Sequence, residues 1–396
     1  MKESLFNYRF EYENQKYIFN TNNNGLIQIN NDIFTEEERE YLRVNRFWVD
    51  DNEDEIALLE REINHNIQKR QKELELTIAL TNYCNFSCVY CYQNKNEKLM
   101  TTEVANMIIE KIDRILNDNI FEGINIHYFG GEPLLNIPVL VYLDENIKKI
   151  TDKIGIVYKA FLTTNGSMLS KELLQKVKFS SIQLTFDGLE KTHDRLRVSD
   201  HFHFKEEIEL IENIMNFSQA KVLLRTNICK ENKDEIIALH KYIFEKFGNE
   251  RIEINPNRTI KYHQDDSFEM LSVQEYAEVA YQIKLLWSEQ KGKFELPVPR
   301  STPCKFPYGN AYAISPEGYC TFCSGSMDQE KKYFFDVDIE NKKMFSVRKE
   351  CKKCNILPLC LGGCIIQYNL RAGACTYEKY ELKNISVSYT HLRAHE

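Results

Sequence analysis

The chain has 396 residues, 43% of them hydrophobic, and 51 Lys and Arg against 59 Asp and Glu give a net charge of −8. That length allows two or three domains with sizeable cores, no apolar run approaches a membrane span, and interspersed charge of acidic balance argues against nucleic acid as a partner. Twelve cysteines are the outlier; Met1-Lys2-Glu3-Ser4-Leu5 has no signal-peptide hydrophobic stretch, so a cytoplasmic chain is expected, in which clustered C-x2-C spacings point to metal ahead of disulfides.

Residues 1–72 read as a small α+β unit. Tyr8–Glu13 and Lys16–Asn20 alternate like strands, and Thr21-Asn22-Asn23-Asn24-Gly25 turns the chain into Leu26–Ile29. Thr35 is placed to cap a short helix, and Ile56, Leu58, Leu59, Ile63 and Ile67 give a second helix an apolar stripe. Such a unit fits either a peptide-recognition element or a cap over one end of a barrel.

Residues 73–300 alternate strand-like and helix-like stretches. The strand candidates are Leu74–Leu80, Ile124–Tyr128, Ile156–Leu162, Ser181–Phe186, Lys221–Asn227 and Arg251–Asn255. Helical spacing links Val104 to Ile115 and Ile208 to Met215, covers Asp234–Phe247, and returns over 272–290 behind Ser272. Six βα units predict an α/β fold with a parallel sheet, a partial (β/α)6 TIM-like barrel, with chemistry gathered in the loops after the strands.

The motifs fall in those loops. After the first strand, Thr81–Tyr92 carries Cys84, Cys88 and Cys91 at C-x3-C-x2-C spacing. Three thiolates on one loop can hold three irons of a [4Fe–4S] cube and leave the fourth open to a chelator with an amine and a carboxylate. A tetrahedral zinc site would want a fourth protein ligand. After the second strand come Gly130-Gly131-Glu132-Pro133, where two glycines permit close approach and Glu132 offers a carboxylate to a cation. Later strand ends place Asn165, Thr185, Asp187, the run His193-Asp194-Arg195-Leu196-Arg197, and Arg225 at the barrel mouth. His193 reads as a loop hydrogen-bonder and Cys229 as packing.

The cysteine loop followed one βα unit later by Gly-Gly-Glu-Pro resembles the cofactor-binding segments of the radical SAM enzymes. That resemblance implies S-adenosylmethionine on the open iron of the Cys84/Cys88/Cys91 cluster, reduced by a low-potential donor such as ferredoxin or flavodoxin. It places Gly130, Gly131 and Glu132 at the cofactor's amino group and Tyr90 against the adenine. Asn165, Thr185 and Arg225 would face the cofactor, and Asp187 would lie nearer the substrate as the candidate catalytic residue.

A second cysteine field follows over 301–386. Cys304 is followed by Gly318 and Cys323, then Cys351, Cys354, Cys360 and Cys364 form C-x2-C-x5-C-x3-C, with Cys375 beyond. This run resembles the SPASM domain, the auxiliary-cluster module of peptide-modifying radical SAM enzymes. The resemblance implies two auxiliary [4Fe–4S] clusters, three in all. One would be ligated by Cys351, Cys354, Cys360 and Cys375, the other by Cys304, Cys323 and Cys364, with Cys320 as an additional candidate. A zinc ribbon or a disulfide knot are the competing structural explanations of the field.

The function implied is post-translational modification of a ribosomally made peptide, foremost by a Cys thioether crosslink. Oxidation of Cys or Ser to formylglycine, carbon–carbon crosslinking or epimerisation, and a non-catalytic iron–sulfur or zinc scaffold are the alternatives. Val387–Glu396 reads as one frame of a sequencing-library adapter and is set aside as non-native.

Overall fold

In the computed structural model the described residues are 1–29, 34–118, 121–248, 250–261, 267–292, 296–321, 323–326, 332–337, 344–364, 375–382 and 384; the adapter-like tail lies outside them. The chain forms two compact units, one from residues 1–69, 272–304 and 343–396, the other from 70–271 and 305–342.

The first unit begins with β1 (Lys2–Glu3), β2 (Asn7–Tyr12), β3 (Gln15–Asn20) and β4 (Gly25–Ile29). β2, β3 and β4 make an antiparallel sheet in that order, and β1 pairs with β5 (Trp48–Val49). Helix α1 (Glu36–Val44) starts at Thr35, whose hydroxyl accepts from Glu38 N at 3.2 Å while Thr35 N donates to Glu38 Oε2 at 2.7 Å, a reciprocal capping box. Helix α2 (Glu55–Arg70) buries Leu59, Ile63 and Ile67. Both faces of the three-stranded sheet are apolar. Ile18, Ile27 and Ile29 pack with Leu42 and Phe47, and on the other side Phe10, Phe19, Tyr8, Tyr12, Tyr17 and Leu26 pack with Leu296, Ile356, Leu359 and Leu382.

The second unit holds six parallel strands in chain order: β6 (Glu73–Ala79), β7 (Gly123–Phe129), β8 (Val157–Thr163), β9 (Phe179–Thr185), β10 (Lys221–Ile228) and β11 (Ile252–Arg258). Between them run α3 (Thr102–Asp118), α4 (Ile137–Ile154), α5 (Lys171–Lys176), α6 (Glu190–Leu196), α7 (Phe204–Phe217) and α8 (Ile236–Phe247). One face is dry, with Ile124, Ile126, Tyr128, Ile182, Leu184, Val222 and Leu224 all buried. The other is polar: His127 Nε2 meets Thr163 Oγ1 at 2.8 Å, and Asn255 Nδ2 donates to Gln183 Oε1 at 3.3 Å. Alternation of burial along β7, β8 and most of β10 thus gives the sheet one dry and one polar face, the arrangement in which strand ends carry chemistry.

After α9 (Val273–Lys291) and the short α10 (Lys305–Tyr308) the chain adds β12 (Ala311–Ile314), parallel to β6 on its free side, then β13 (Tyr319–Thr321) and β14 (Lys332–Tyr333), both antiparallel. The sheet is therefore nine-stranded and open, ordered β11-β10-β9-β8-β7-β6-β12-β13-β14. The stretch expected as one module over 301–386 is divided: Cys320 and Cys323 belong to the second unit, while Cys304 and everything from α11 (Leu357–Cys360) onward belong to the first.

Candidate functional site

Strand β6 ends where Thr81 O accepts from Gly131 N at 2.8 Å and Tyr83 O accepts from Glu132 N at 2.9 Å. The two glycines make that approach feasible. A Cβ on Gly130, whose φ is +137°, would lie 2.3 Å from Thr81 O, and one on Gly131 would lie 2.2 Å from Tyr83 O. Their demonstrable role is to let the loop after β7 lie against the backbone of the cysteine loop. The cysteine loop is fixed farther along as well: Ser87 N donates to Val198 O at 2.8 Å and Val89 N to Leu196 O at 3.0 Å.

Within this frame Cys84, Cys88 and Cys91 are half-buried. Burial pushes the Cys88 thiol up to about 12; the Arg197 guanidinium opposes that shift, and the neighbouring Cys91 and Cys84 add to it. Burial also raises Cys84, against a hydrogen bond from Phe86 N to its sulfur at 3.4 Å. Asn165 Nδ2 reaches the same sulfur at 3.8 Å and Asn85 Oδ1 at 2.8 Å. Among the described residues no three His, Cys, Asp or Glu side chains gather closely enough to hold a single metal ion. A cube asks less of the thiols, because each ligates a different iron. Three mutually interacting, partly desolvated thiols on one pinned loop fit that donor set, since the metal takes the place of protons that burial otherwise retains.

Glu132 is fully buried, and its carboxylate accepts from Leu134 N at 2.9 Å, Thr164 Oγ1 at 2.7 Å and Asn165 N at 2.6 Å. Burial pushes it up to about 7, and those three hydrogen bonds only partly offset the shift. Its carboxylate thereby ties the second strand's loop to the third strand's end, beside Asn165, whose Nδ2 reaches the cysteine loop.

Tyr90 and Asp187 carried separate expectations, and the structure joins them. The Tyr90 hydroxyl donates to Asp187 Oδ2, and Asp187 Oδ1 accepts from Asn227 N at 2.7 Å. Asp187 is fully buried, which raises its carboxyl, while Arg197 and the two hydrogen bonds pull it back. The Tyr90 ring meets Phe268 edge-on at 6.5 Å, within a cluster that also includes Leu196 and Cys229. Thr185 and Arg225 stand in register on adjacent strands, and Arg225 Nε donates to Asn227 Oδ1 at 2.8 Å. Asn227 thereby connects the Arg225 strand end to Asp187, and Asn232 closes the knot by donating to Asp187 O at 2.9 Å.

Arg197 is the functional residue that sequence reasoning named without assigning. It is 6% exposed, stacks over Phe86 at 5.4 Å, and has Glu207 Oε1 at 3.8 Å, while His193 Nε2 meets Glu207 Oε2 at 3.0 Å. The signal was Glu207 itself, an acid on the apolar stripe of α7 beside Ile208 and Ile211, which required a buried cation opposite. His193, expected in a loop, lies in α6 and is buried against Glu207.

In the first unit, burial raises Cys351, and neighbouring Cys354 adds to the effect. Cys360 is pushed up to about 11, mainly by burial, with Cys354 among the minor causes and a hydrogen bond with Thr376 opposing. Gly363, at φ +71°, brings its backbone so near Thr376 that a Cβ would lie 2.4 Å from Thr376 Cγ2. Cys351, Cys354, Cys360 and the Cys375–Thr376 segment thus form a run of neighbours. Their thiol chemistry and their proximity along this run fit the donor set of a second cluster. Cys304, Cys364 and Cys375 are exposed, Cys323 is half-buried with Gly325 N on its sulfur at 3.3 Å, and Cys320 is buried on β13.

Comparison with known proteins agrees with this geometry. The radical SAM cyclopropyl synthase TigE of Paramaledivibacter caminithermalis is 24% identical over 354 residues, covering 80% of this chain and 73% of that protein. Several other curated relatives are matched over only 39% to 53% of their own length. Among solved structures, anSMEcpe with bound AdoMet and the Cp18Cys peptide superposes with a TM-score of 0.65 at 19% identity, over 81% of this chain and 98% of that one. Streptococcus suis SuiB bound to its precursor peptide SuiA gives 0.55 at 16% identity, over 95% and 98%. These two share the fold. Residues 78–243 match the model of the Radical SAM superfamily. This chain carries a radical SAM domain over residues 78–243.

Proposed function

We propose that this protein is a radical S-adenosylmethionine enzyme that modifies a ribosomally made peptide. The observation that carries the reading is the cysteine loop, whose thiols are held by backbone bonds to Gly131 and Glu132 and overlooked by Asn165, Tyr90 and Asp187. When bound there, a [4Fe–4S] cluster and S-adenosylmethionine supply a carbon radical strong enough to take hydrogen from an unactivated C–H bond. Cys84, Cys88 and Cys91 hold the cluster, Asn165 and the polar strand ends at Thr185 and Arg225 receive the cofactor, and Tyr90 holds Asp187 in place toward the substrate side. Burial of Cys88, Tyr90 and Asp187 keeps water from the reacting centre.

A peptide substrate is supported by the two structural neighbours, each solved with a peptide bound. It is supported also by the Cys351–Cys375 field, which we assign to an auxiliary cluster of a SPASM-type module, and by a cavity of about 570 Å³ in the N-terminal unit, lined by Phe6, Leu58, Arg61, Glu62 and His65 among others. A low-potential donor such as ferredoxin or flavodoxin would supply the electron. Thioether formation, which removes one hydrogen from a cysteine sulfur and one from a carbon, is our reading of the bond made. The likeness to a cyclopropyl synthase over 80% of the chain favours a second reading, carbon–carbon bond formation.

The test is anaerobic reconstitution followed by reaction with S-adenosylmethionine, dithionite and the peptide encoded by a neighbouring short reading frame. The expected result is deoxyadenosine plus a peptide lighter by two hydrogens, and no deoxyadenosine from Cys88→Ala. Loss of one alkylatable thiol marks the thioether, whereas an unchanged thiol count marks the carbon–carbon bond. Deoxyadenosine from Cys88→Ala would overturn the assignment of the loop.

A further inference from the structure

We infer that the N-terminal sheet and helix α2 are the scaffold that positions the auxiliary cysteine ligands, with Glu60, Asn64, Thr21 and Asn7 as the positioning residues. Asn64 acts as a surrogate strand: its Nδ2 donates to Phe345 O at 3.0 Å and its Oδ1 accepts from Phe345 N at 2.7 Å. One turn earlier, Glu60 Oε1 accepts from Val347 N at 2.7 Å and Ser346 Oγ at 3.3 Å. Phe345 and Val347 are each 5% exposed, so this clamp is seated in the core. The next residue, Arg348, donates to Gly362 O between Cys360 and Cys364, and its own carbonyl accepts from Cys351 N at 2.9 Å.

The sheet holds the other side of the same loops. Thr21 Oγ1 donates to Asn355 O and Asn355 Nδ2 donates to Asn7 O at 3.1 Å, fixing the residue that follows Cys354. Ile356, just before α11, and Leu359, within it ahead of Cys360, pack on Phe10 and Phe19, with Cys354 against the same cluster. Every segment that carries Cys351, Cys354 or Cys360 is thus held by a residue from the first seventy. This extends the reading of residues 1–72 as peptide recognition or a cap: the sheet's second face is already committed to the cysteine module.

Helix geometry separates the two uses. At 100° per residue, Glu60 and Asn64 lie on one face of α2 while Leu58, Arg61, Glu62 and His65, which line the cavity, lie on another. A clamp variant and a cavity variant therefore report on different things.

The inference rests on the assignment of Cys351, Cys354, Cys360 and Cys375 to a cluster, and the experiment keeps the two apart. In a full chain carrying Cys84→Ala, Cys88→Ala and Cys91→Ala, the remaining iron and its electron paramagnetic resonance signal report only auxiliary sites. Adding Glu60→Ala and Asn64→Ala should shift that signal and speed iron loss to a chelator roughly tenfold, and Thr21→Val should act in the same direction. His65→Ala, on the cavity face, should leave both unchanged. An unchanged signal and iron-loss rate in the clamp variants would overturn the scaffold role. Absence of auxiliary iron in the parent chain would instead overturn the cluster assignment.

Discussion

Cys88 lies in a loop bonded to two other segments of its unit, at Glu132 and at Leu196–Val198, whereas Cys364 and Cys375 are exposed and the field's residues Asn355 and Gly362 are held by the side chains of Thr21 and Arg348. Both regions offer thiols, yet the parallel sheet supplies the first with its scaffold. Each strand end donates backbone groups to its neighbour, so the position of Cys84–Cys91 follows from the register of β6, β7 and β9. Among the described residues the second field's cysteines sit on or beside short turns, Lys349–Cys351 and Leu357–Cys360, and these borrow their geometry from the N-terminal sheet and α2. One site is built by the fold; the other is built around its ligand and its neighbours.

The strongest way to break that contrast is Gly131→Ala. The added Cβ meets Tyr83 O at 2.2 Å and Asn82 O at 2.9 Å, both backbone, so the cysteine loop has to move. The expected cost is about 2–4 kcal/mol of stability, with loss of deoxyadenosine formation while auxiliary iron persists. Full deoxyadenosine formation from this variant would mean that the loop is placed by something other than its contact with the strand-two loop.

Glu132 sharpens the same comparison through pH. Its carboxyl ordinarily titrates at 4.5 and stands at about 7 in the folded chain. A raised folded value means that the stabilising form is the neutral one, present in full below pH 4.5 and lost as pH rises through 7. At about 1.4 kcal/mol per unit, the native state gives up roughly 3 kcal/mol across that interval. Glu132→Gln removes this dependence at a constant cost, since an amide NH2 must face one of the three donors. Melting of the metal-free variant relative to the parent should therefore improve between pH 5 and 8. A parallel pair of curves would show that Glu132 is already ionised throughout.

The legible part of the molecule is the part whose physics is local. Alternation and βα spacing placed all six parallel strands within three residues at each end, and Thr35 capped α1 as its position before three acids required. The extension of the sheet through Ala311–Ile314 was not legible, because four residues between turn signals carry no periodicity and the strand exists by pairing with β6. The cysteine loop could be read because its ligands are contiguous. The bonds Glu132 makes within the chain were not legible, because a carboxylate's partners are set by burial, which spacing does not report, and the Tyr90–Asp187 bond joins residues 97 positions apart. Asn64 and Glu60 carry no signal of their own in the periodicity of α2; only the tertiary path of 345–347 turns them into a clamp.

The smallest effect concerns the thiols themselves in the chain stripped of metal. Alkylation proceeds through the thiolate, so both exposure and burial-raised acidity control its rate. Cys304, Cys364 and Cys375 are exposed, whereas Cys88 is held at about 12 and Cys360 at about 11 by burial. At pH 8 a thiol at 12 is ionised in roughly one molecule in ten thousand. Mass-resolved labelling should therefore modify the three exposed cysteines at least about tenfold faster than Cys88, Cys229 or Cys360. Because Cys375 is expected to ligate the same cluster as Cys360, their separation in rate also measures how far the second site depends on metal to complete it. Equal rates for Cys360 and Cys375 would mean that the field closes without metal, and the contrast between a site built by the fold and a site built around its ligand would fail at that point.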